Sequence, residues 1–253
     1  MEDRNDLKPL LYQIAAATDR GQRMNAMIAP MYQEKLFEME KLVEKLIPQS
    51  DEITRSSIEG EWELIYSSVE LFRSSPFFLA IEKALNDKTK SELFFKLHLL
   101  QVGSFGLSTI GRVGQHINFD TGELISAFDT TIFALTTIPI LGWFKLLPTF
   151  GGRVITLANN LKFEDNKISM ELVQTKVLEV DGLGKIPIID KILMGRWYPV
   201  KTVWNLLPWN KRNPDCDISV VYVDDDLRIT RDMYGALFIY VRPSIPLLDQ
   251  TMI

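Results

Sequence analysis

The chain has 253 residues, 46% of them apolar and 24% charged, with a formal net charge of −5. That length buries a sizeable core as one large domain or two small ones, and the acidic balance argues against generic nucleic-acid binding. A single cysteine, Cys216, excludes an intramolecular disulfide framework, and two histidines, His98 and His116, are too few for an ordinary zinc site.

The first fifty residues have helical periodicity. Leu7, Leu10, Leu11 and Ile14 follow i, i+3, i+4, i+7 and stop at Arg20-Gly21. Pro30 suits the first turn of a longer helix whose apolar face is Tyr32, Leu36, Met39, Val43 and Leu46, with Pro48 as its stop. The opposite face carries Glu34, Lys35, Glu38, Lys41, Glu44 and Lys45, the mixed charge of a solvated surface. Glu2, Asp3 and Asp6 stand where a signal peptide is basic, and no apolar run follows, so neither a signal nor a transit peptide is expected in these residues.

From Gly60 the period becomes two. Residues 60–68 read as a strand; Ser74-Ser75-Pro76 caps a short helix over 77–85. Strands are expected at 93–102, 112–120, 124–133, 154–163 and 167–180, and three more lie in 218–243, where Asp224–Asp226 and Asp232–Gly235 are solvated turns. About nine strands at hairpin-like spacing suit an antiparallel barrel better than a βαβ fold.

Two segments interrupt this rhythm. Residues 132–153 hold Lys145 and Arg153 with no acid, and 183–212 hold six basic residues against Asp190, so these segments carry +7 and the rest of the chain −12, which together give the net −5. Trp143, Trp197, Trp204 and Trp209 also lie there. Tryptophan beside Lys or Arg suits a boundary between lipid and water. The same aromatics equally suit long loops folded over a barrel mouth. Prolines, Gly142 and Lys145 break up the apolar run 132–148, so it is not expected to span a membrane as a helix.

Gly60-Glu61-Trp62 at the start of a first strand is similar to the opening signature of lipocalins, in which an arginine from near the C-terminus lies across the indole. Arg228 and Arg231 are the candidates for that place, against the ordinary expectation that a strand arginine faces outward. Gly106 to Gly111 has phosphate-loop glycine spacing, but Arg112-Val113 replaces the Lys-Ser/Thr pair; it reads as a turn. There is no G-x-S-x-G elbow, no calcium-loop alternation at Asp224–Asp226, and no catalytic constellation; Cys216 reads as a buried inert thiol.

Asp19-Arg20-Gly21, the strand GEWELIYSS, Glu70-Leu71-Phe72, Ser75-Pro76-Phe77-Phe78, Gly114-Gln115 and the terminal YVDDDLRITRD with Gly235 and Phe238 together resemble the plastid lipid-associated proteins, or fibrillins, over nearly the whole chain. Gly60, Trp62, Tyr66, Asp226, Leu227, Arg228 and Arg231 fall on that family's recurring positions. The resemblance implies a mainly β, lipocalin-like antiparallel barrel of about eight to nine strands. N-terminal helices (1–50) pack outside a barrel domain (58–243), with insertions at 132–153 and 183–212. It also implies a non-enzymatic protein of plastoglobules or thylakoids that holds a prenyl-lipid-like molecule, or alternatively a scaffold for a membrane-associated prenyl-lipid enzyme.

On this reading Trp62, Tyr66, Phe119 and Phe128 line the barrel, and Gly60, Arg228 and Arg231 brace it. Trp143, Phe144, Trp197, Trp204, Trp209, Lys201, Lys211 and Arg212 meet a membrane or lipid-droplet surface. The expected partners are a hydrophobic small molecule, a peripheral membrane or lipid-droplet surface and, on the scaffold alternative, a protein. No metal, cofactor or nucleic acid is expected.

Overall fold

The computed structural model describes residues 3–22, 29–103, 108–132, 134–137, 146–149, 152–178, 195–204 and 213–247. In chain order the elements are α1 (Arg4–Ala17), α2 (Ala29–Leu46), α3 (Arg55–Ile58), β1 (Gly60–Ser67), α4 (Pro76–Leu85) and α5 (Lys88–Gly103). They continue with β2 (Ser108–Asn118), β3 (Glu123–Ile132), β4 (Ala134–Thr137), β5 (Leu146–Thr149), β6 (Gly152–Glu164) and β7 (Lys167–Leu178). The last are β8 (Trp197–Pro199), α6 (Val200–Trp204), β9 (Asp215–Val223), β10 (Leu227–Arg231) and β11 (Leu237–Val241).

Eight strands close on themselves in the order β6–β3–β2–β1–β11–β10–β9–β7, and β7 returns to pair with β6, every neighbour antiparallel. β8 pairs with β7 beyond the stretch that meets β9, and β4 and β5 form a separate hairpin. Of the nine strands read from periodicity, eight are these barrel strands. The ninth, 93–102, lies within α5. Asn86, in the left-handed conformation, ends α4. Asp87 then accepts from the N–H of Lys90 and starts a new helix. Ser91 and Phe95, four apart, are buried together, while Phe94 and His98 stack on the same helix at 6.4 Å between centroids. A helix stripe had mimicked an apolar strand.

Alternation sorts the barrel side chains into two faces. Trp62, Leu64, Val113, Ile117, Leu124, Ile168, Met170, Cys216, Ile218, Val220, Phe238 and Tyr240 share the interior with Leu79, Ala80 and Ile81 of α4. Tyr222, Leu227, Ile229, Leu237 and Ile239 point outward under α1 and α2, which bury Leu7, Leu11, Met39, Val43 and Leu46 on them. Burying each of these large apolar side chains contributes about 1.5–3 kcal/mol. Leu10, expected on the buried stripe of α1, is 47% exposed.

The Asp19-Arg20-Gly21 turn fastens α1 to the barrel. All three residues have positive φ. The Arg20 guanidinium donates to the carbonyls of Ile110 and Gly111, both at 2.6 Å, where a bulge in β2 frees them from the ladder. A Cβ on Gly21 would lie 2.0 Å from the Ser67 carbonyl oxygen, so only glycine fits. Gly21→Ala is therefore expected to destabilise the fold by about 2 kcal/mol or more, read as a lower urea midpoint with an unchanged slope.

Asp224, read as part of a solvated turn, is instead 5% exposed. Its carboxylate accepts from the N–H groups of Asp226 and Leu227 and from the Tyr222 hydroxyl, and pairs with Lys8 of α1 at 2.6 Å. Burial pushes this carboxyl up, but Lys8, Tyr222 and Asp226 outweigh burial and hold it at about 2, below the ordinary 3.8. A carboxyl that titrates lower in the folded chain than in the unfolded one contributes stability that is complete above about pH 4 and is lost as the pH falls toward 2. In Asp224→Asn, the acid-side slope of stability against pH, measured by denaturation from pH 5 to pH 2, is expected to be shallower than in the parent.

Candidate functional site

The start of β1 forms one end of the barrel. Thr54 and Ser57 cap α3 reciprocally, which sets the Ile58 carbonyl to accept the Trp62 indole N–H at 2.8 Å. Trp62 is fully buried. Over its ring, at 3.7 Å, lies the guanidinium of Arg242, which donates to the backbone carbonyls of Glu59, Glu61 and Ser57. Gly60 has φ +92°, and a Cβ there would stand 2.9 Å from Arg242 Nη1. The glycine of Gly60-Glu61-Trp62 thus leaves room for the arginine that covers the tryptophan.

Arg228 approaches Trp62 from within the barrel. Its guanidinium lies 5.0 Å from the Trp62 ring and 4.4 Å from that of Tyr240. Nη2 donates to Gln115 Oε1 at 2.6 Å, and Gln115 Nε2 donates in turn to the Tyr240 hydroxyl and the Ser74 carbonyl at 3.3 and 3.4 Å. Among the described residues, Arg228 Nε and Nη1 are buried without an acceptor. Burial, with Arg242 nearby, lowers the guanidinium to about 10, so it remains a cation at neutral pH. Burial likewise raises the Tyr240 phenol to about 12. Two guanidinium nitrogens are thus left without an acceptor among the described residues inside a mostly apolar cluster, where an unmet donor costs about 1–3 kcal/mol.

Of the two arginines proposed for the tryptophan, Arg228 reaches it. Arg231 points outward and joins β10 to α2 through Glu40 at 2.8 Å and Glu44 at 3.2 Å. Phe119 and Phe128 pack half-buried against the interior cluster. Tyr66, expected to line the barrel, belongs to the cluster under α1 and α2, because the bulge between Leu64 and Tyr66 turns it outward. Trp204, expected at a lipid surface, is 1% exposed and packs from α6 into the interior. Trp197 is 38% exposed with the Lys176 ammonium 5.5 Å from its ring, and Lys201 is exposed. Trp143, Phe144, Trp209, Lys211 and Arg212 lie outside the described residues. Sequence reasoning missed Arg242, Gln115 and Tyr240 as members of this group. The signal for Arg242 was its place one residue past β11, beside the Gly60 end of β1.

A second buried charge group lies near α4. Arg73 pairs with Glu82 at 2.9 Å and Glu92 at 3.1 Å, and covers the Phe95 ring at 4.1 Å. Burial, and Asp232 beside it, hold Glu82 above the usual carboxylate range against the pull of Arg73. Burial lowers His98, in contact with Phe72, Phe78 and Phe94, and keeps it neutral. No group of His, Cys, Asp and Glu suited to a metal ion occurs among the described residues.

The two arginines differ in what they hold. Arg242→Ala removes three carbonyl contacts and the cover of Trp62, and is expected to cost about 2–4 kcal/mol. Arg228→Met relieves a buried charge that no carboxylate among the described residues meets, and is expected to change the stability of the ligand-free protein by about 1 kcal/mol or less. Guanidinium chloride unfolding of both variants checks the contrast.

Among the described residues, no helix is long and apolar enough to cross a membrane. No curated protein and no solved structure matches the chain. The PAP_fibrillin family model matches residues 5–241, from α1 to the end of β11, and so takes in the Trp62–Arg228 end of the barrel and the helices outside it. The chain belongs to the PAP/fibrillin family.

Proposed function

We propose that this protein is a non-enzymatic, lipid-associated protein of plastid membranes or plastoglobules that holds a prenyl-lipid-like molecule inside its barrel. The family supports association with plastids and lipid. The observation that carries the ligand reading is the pair of buried Arg228 nitrogens, Nε and Nη1, that meet no acceptor among the described residues within an apolar interior. A ligand oxygen, from a quinone carbonyl or a carboxylate, supplies what they lack. The hydrophobic tail then lies along the inner wall, where α4 now contributes Leu79, Ala80 and Ile81. α4 is the element that yields to it.

A second reading, an interaction scaffold, draws support from Leu93 and Leu97, four apart on α5 and 57% and 51% exposed. It predicts a single stoichiometric protein partner and no co-purifying lipid.

Mass spectrometry of organic extracts from protein purified without detergent tests the first reading. The expected result is a bound lipid carrying a carbonyl or carboxyl oxygen, present in the parent and depleted about tenfold or more in Arg228→Met. A lipid-free parent whose melting temperature and tryptophan emission ignore added plastoquinone and palmitate overturns it.

A further inference from the structure

Outside the barrel, α1 and α2 leave a groove of about 410 Å³ between them. Leu10, Ile14 and Leu42 supply apolar lining, and Lys35, Lys41 and Lys45 carry positive charge along it. Glu38 is the one acid among the lining residues, and Lys35 pairs with it at 2.5 Å. Beside the groove Phe37 is 61% exposed and Met31 77%, and the Lys41 ammonium lies 4.3 Å from the Phe37 ring. These apolar side chains stand on the solvent side of a helix whose other side, with Met39, Val43 and Leu46, is already buried on the barrel. The fold does not need them there.

The charge on this face is sorted as well. Arg231 draws Glu40 and Glu44 toward the barrel flank, which leaves Glu34 and Glu38, both acting on Lys35, as the remaining acids of α2. Three lysines against one glutamate make the groove locally cationic on a chain of net charge −5. An anionic surface is therefore met by this patch and not by the protein's overall charge. Apolar side chains flanked by lysines on paired helices suit the boundary of a bilayer. Rings and thioethers enter the acyl region there, and flexible ammonium groups reach phosphates.

We propose that the α1–α2 face docks the protein on an anionic bilayer, with Phe37, Met31 and Leu10 inserted, Lys41 and Lys45 on headgroup phosphates, and one lipid chain seated in the groove. This rests on the lipid-associated reading above, but it names a surface separate from the barrel interior.

Flotation of the full chain with phosphatidylglycerol-containing vesicles and with pure phosphatidylcholine vesicles tests it. The parent is expected to float with the anionic vesicles only, and less as salt rises. Met31→Ser/Phe37→Ser and Lys41→Glu/Lys45→Glu are each expected to lower vesicle affinity about tenfold or more, and Lys41→Arg/Lys45→Arg to preserve it. Circular dichroism and melting confirm that each variant is folded. Undiminished flotation of both folded double variants overturns the proposal, as does equal flotation on the neutral vesicles. So does a parent that ignores both vesicles and binds a single protein through this face. Lipid retained by the same variants, read by mass spectrometry, reports the barrel separately: loss of flotation with lipid retained upholds the docking face, and lipid-free protein that still floats overturns only the barrel reading.

Discussion

The fold depends on one closure, the antiparallel pairing of β1 with β11. Without it the eight strands are an open sheet, and the side chains of its inner face have no common space to fill. Closure also brings the start of β1 beside the end of β11. Trp62 can then be covered from one direction by Arg242 and reached from another by Arg228. The arginines serve different ends. Arg242 is satisfied by three backbone carbonyls and completes the wall. Arg228 is held by one amide and two aromatic rings, and two of its nitrogens meet no acceptor among the described residues.

Polar groups elsewhere do mechanical work that matches their burial. Asp224 and Lys8 tie α1 to the β9–β10 turn, and Arg231 ties α2 to β10. Arg20 closes the gap left by the β2 bulge. The outer helices are thus fastened at separate points along the barrel, each by a charged group meeting partners the sheet itself leaves open. Hydrophobic burial supplies the attraction and these contacts set the position.

Period-two patterning made the eight barrel strands legible, because one face of each is wet or covered by a helix and the other shares the interior. It failed at 93–102, where Leu93 to Leu100 is apolar enough to satisfy either period and the cap at Asp87 was the only discriminating mark. Tyr66 was misassigned for a different reason: side-chain parity holds along a strand only until a bulge, and a bulge leaves no residue signature in β1. Trp204 shows that composition is a poor guide to exposure, since a tryptophan in a basic, aromatic segment packs inside. The Gly60–Trp62 motif was legible, but its reason was not. The close approach of Arg242 is a contact between residues at opposite ends of the barrel sequence.

That contact pattern also has a consequence for biosynthesis. Glu63 pairs with Val241, 178 positions later, an interval of about 10–40 s at ordinary translation rates. Through that time β1 has no partner on one edge, and the inner face of the growing sheet, Trp62 included, is open to whatever surrounds the ribosome. Nonlocal closure of this kind is slow to form and prone to association. The inner face stays open until β11 arrives, so the last strand to be made is the one that decides whether the sheet becomes a barrel.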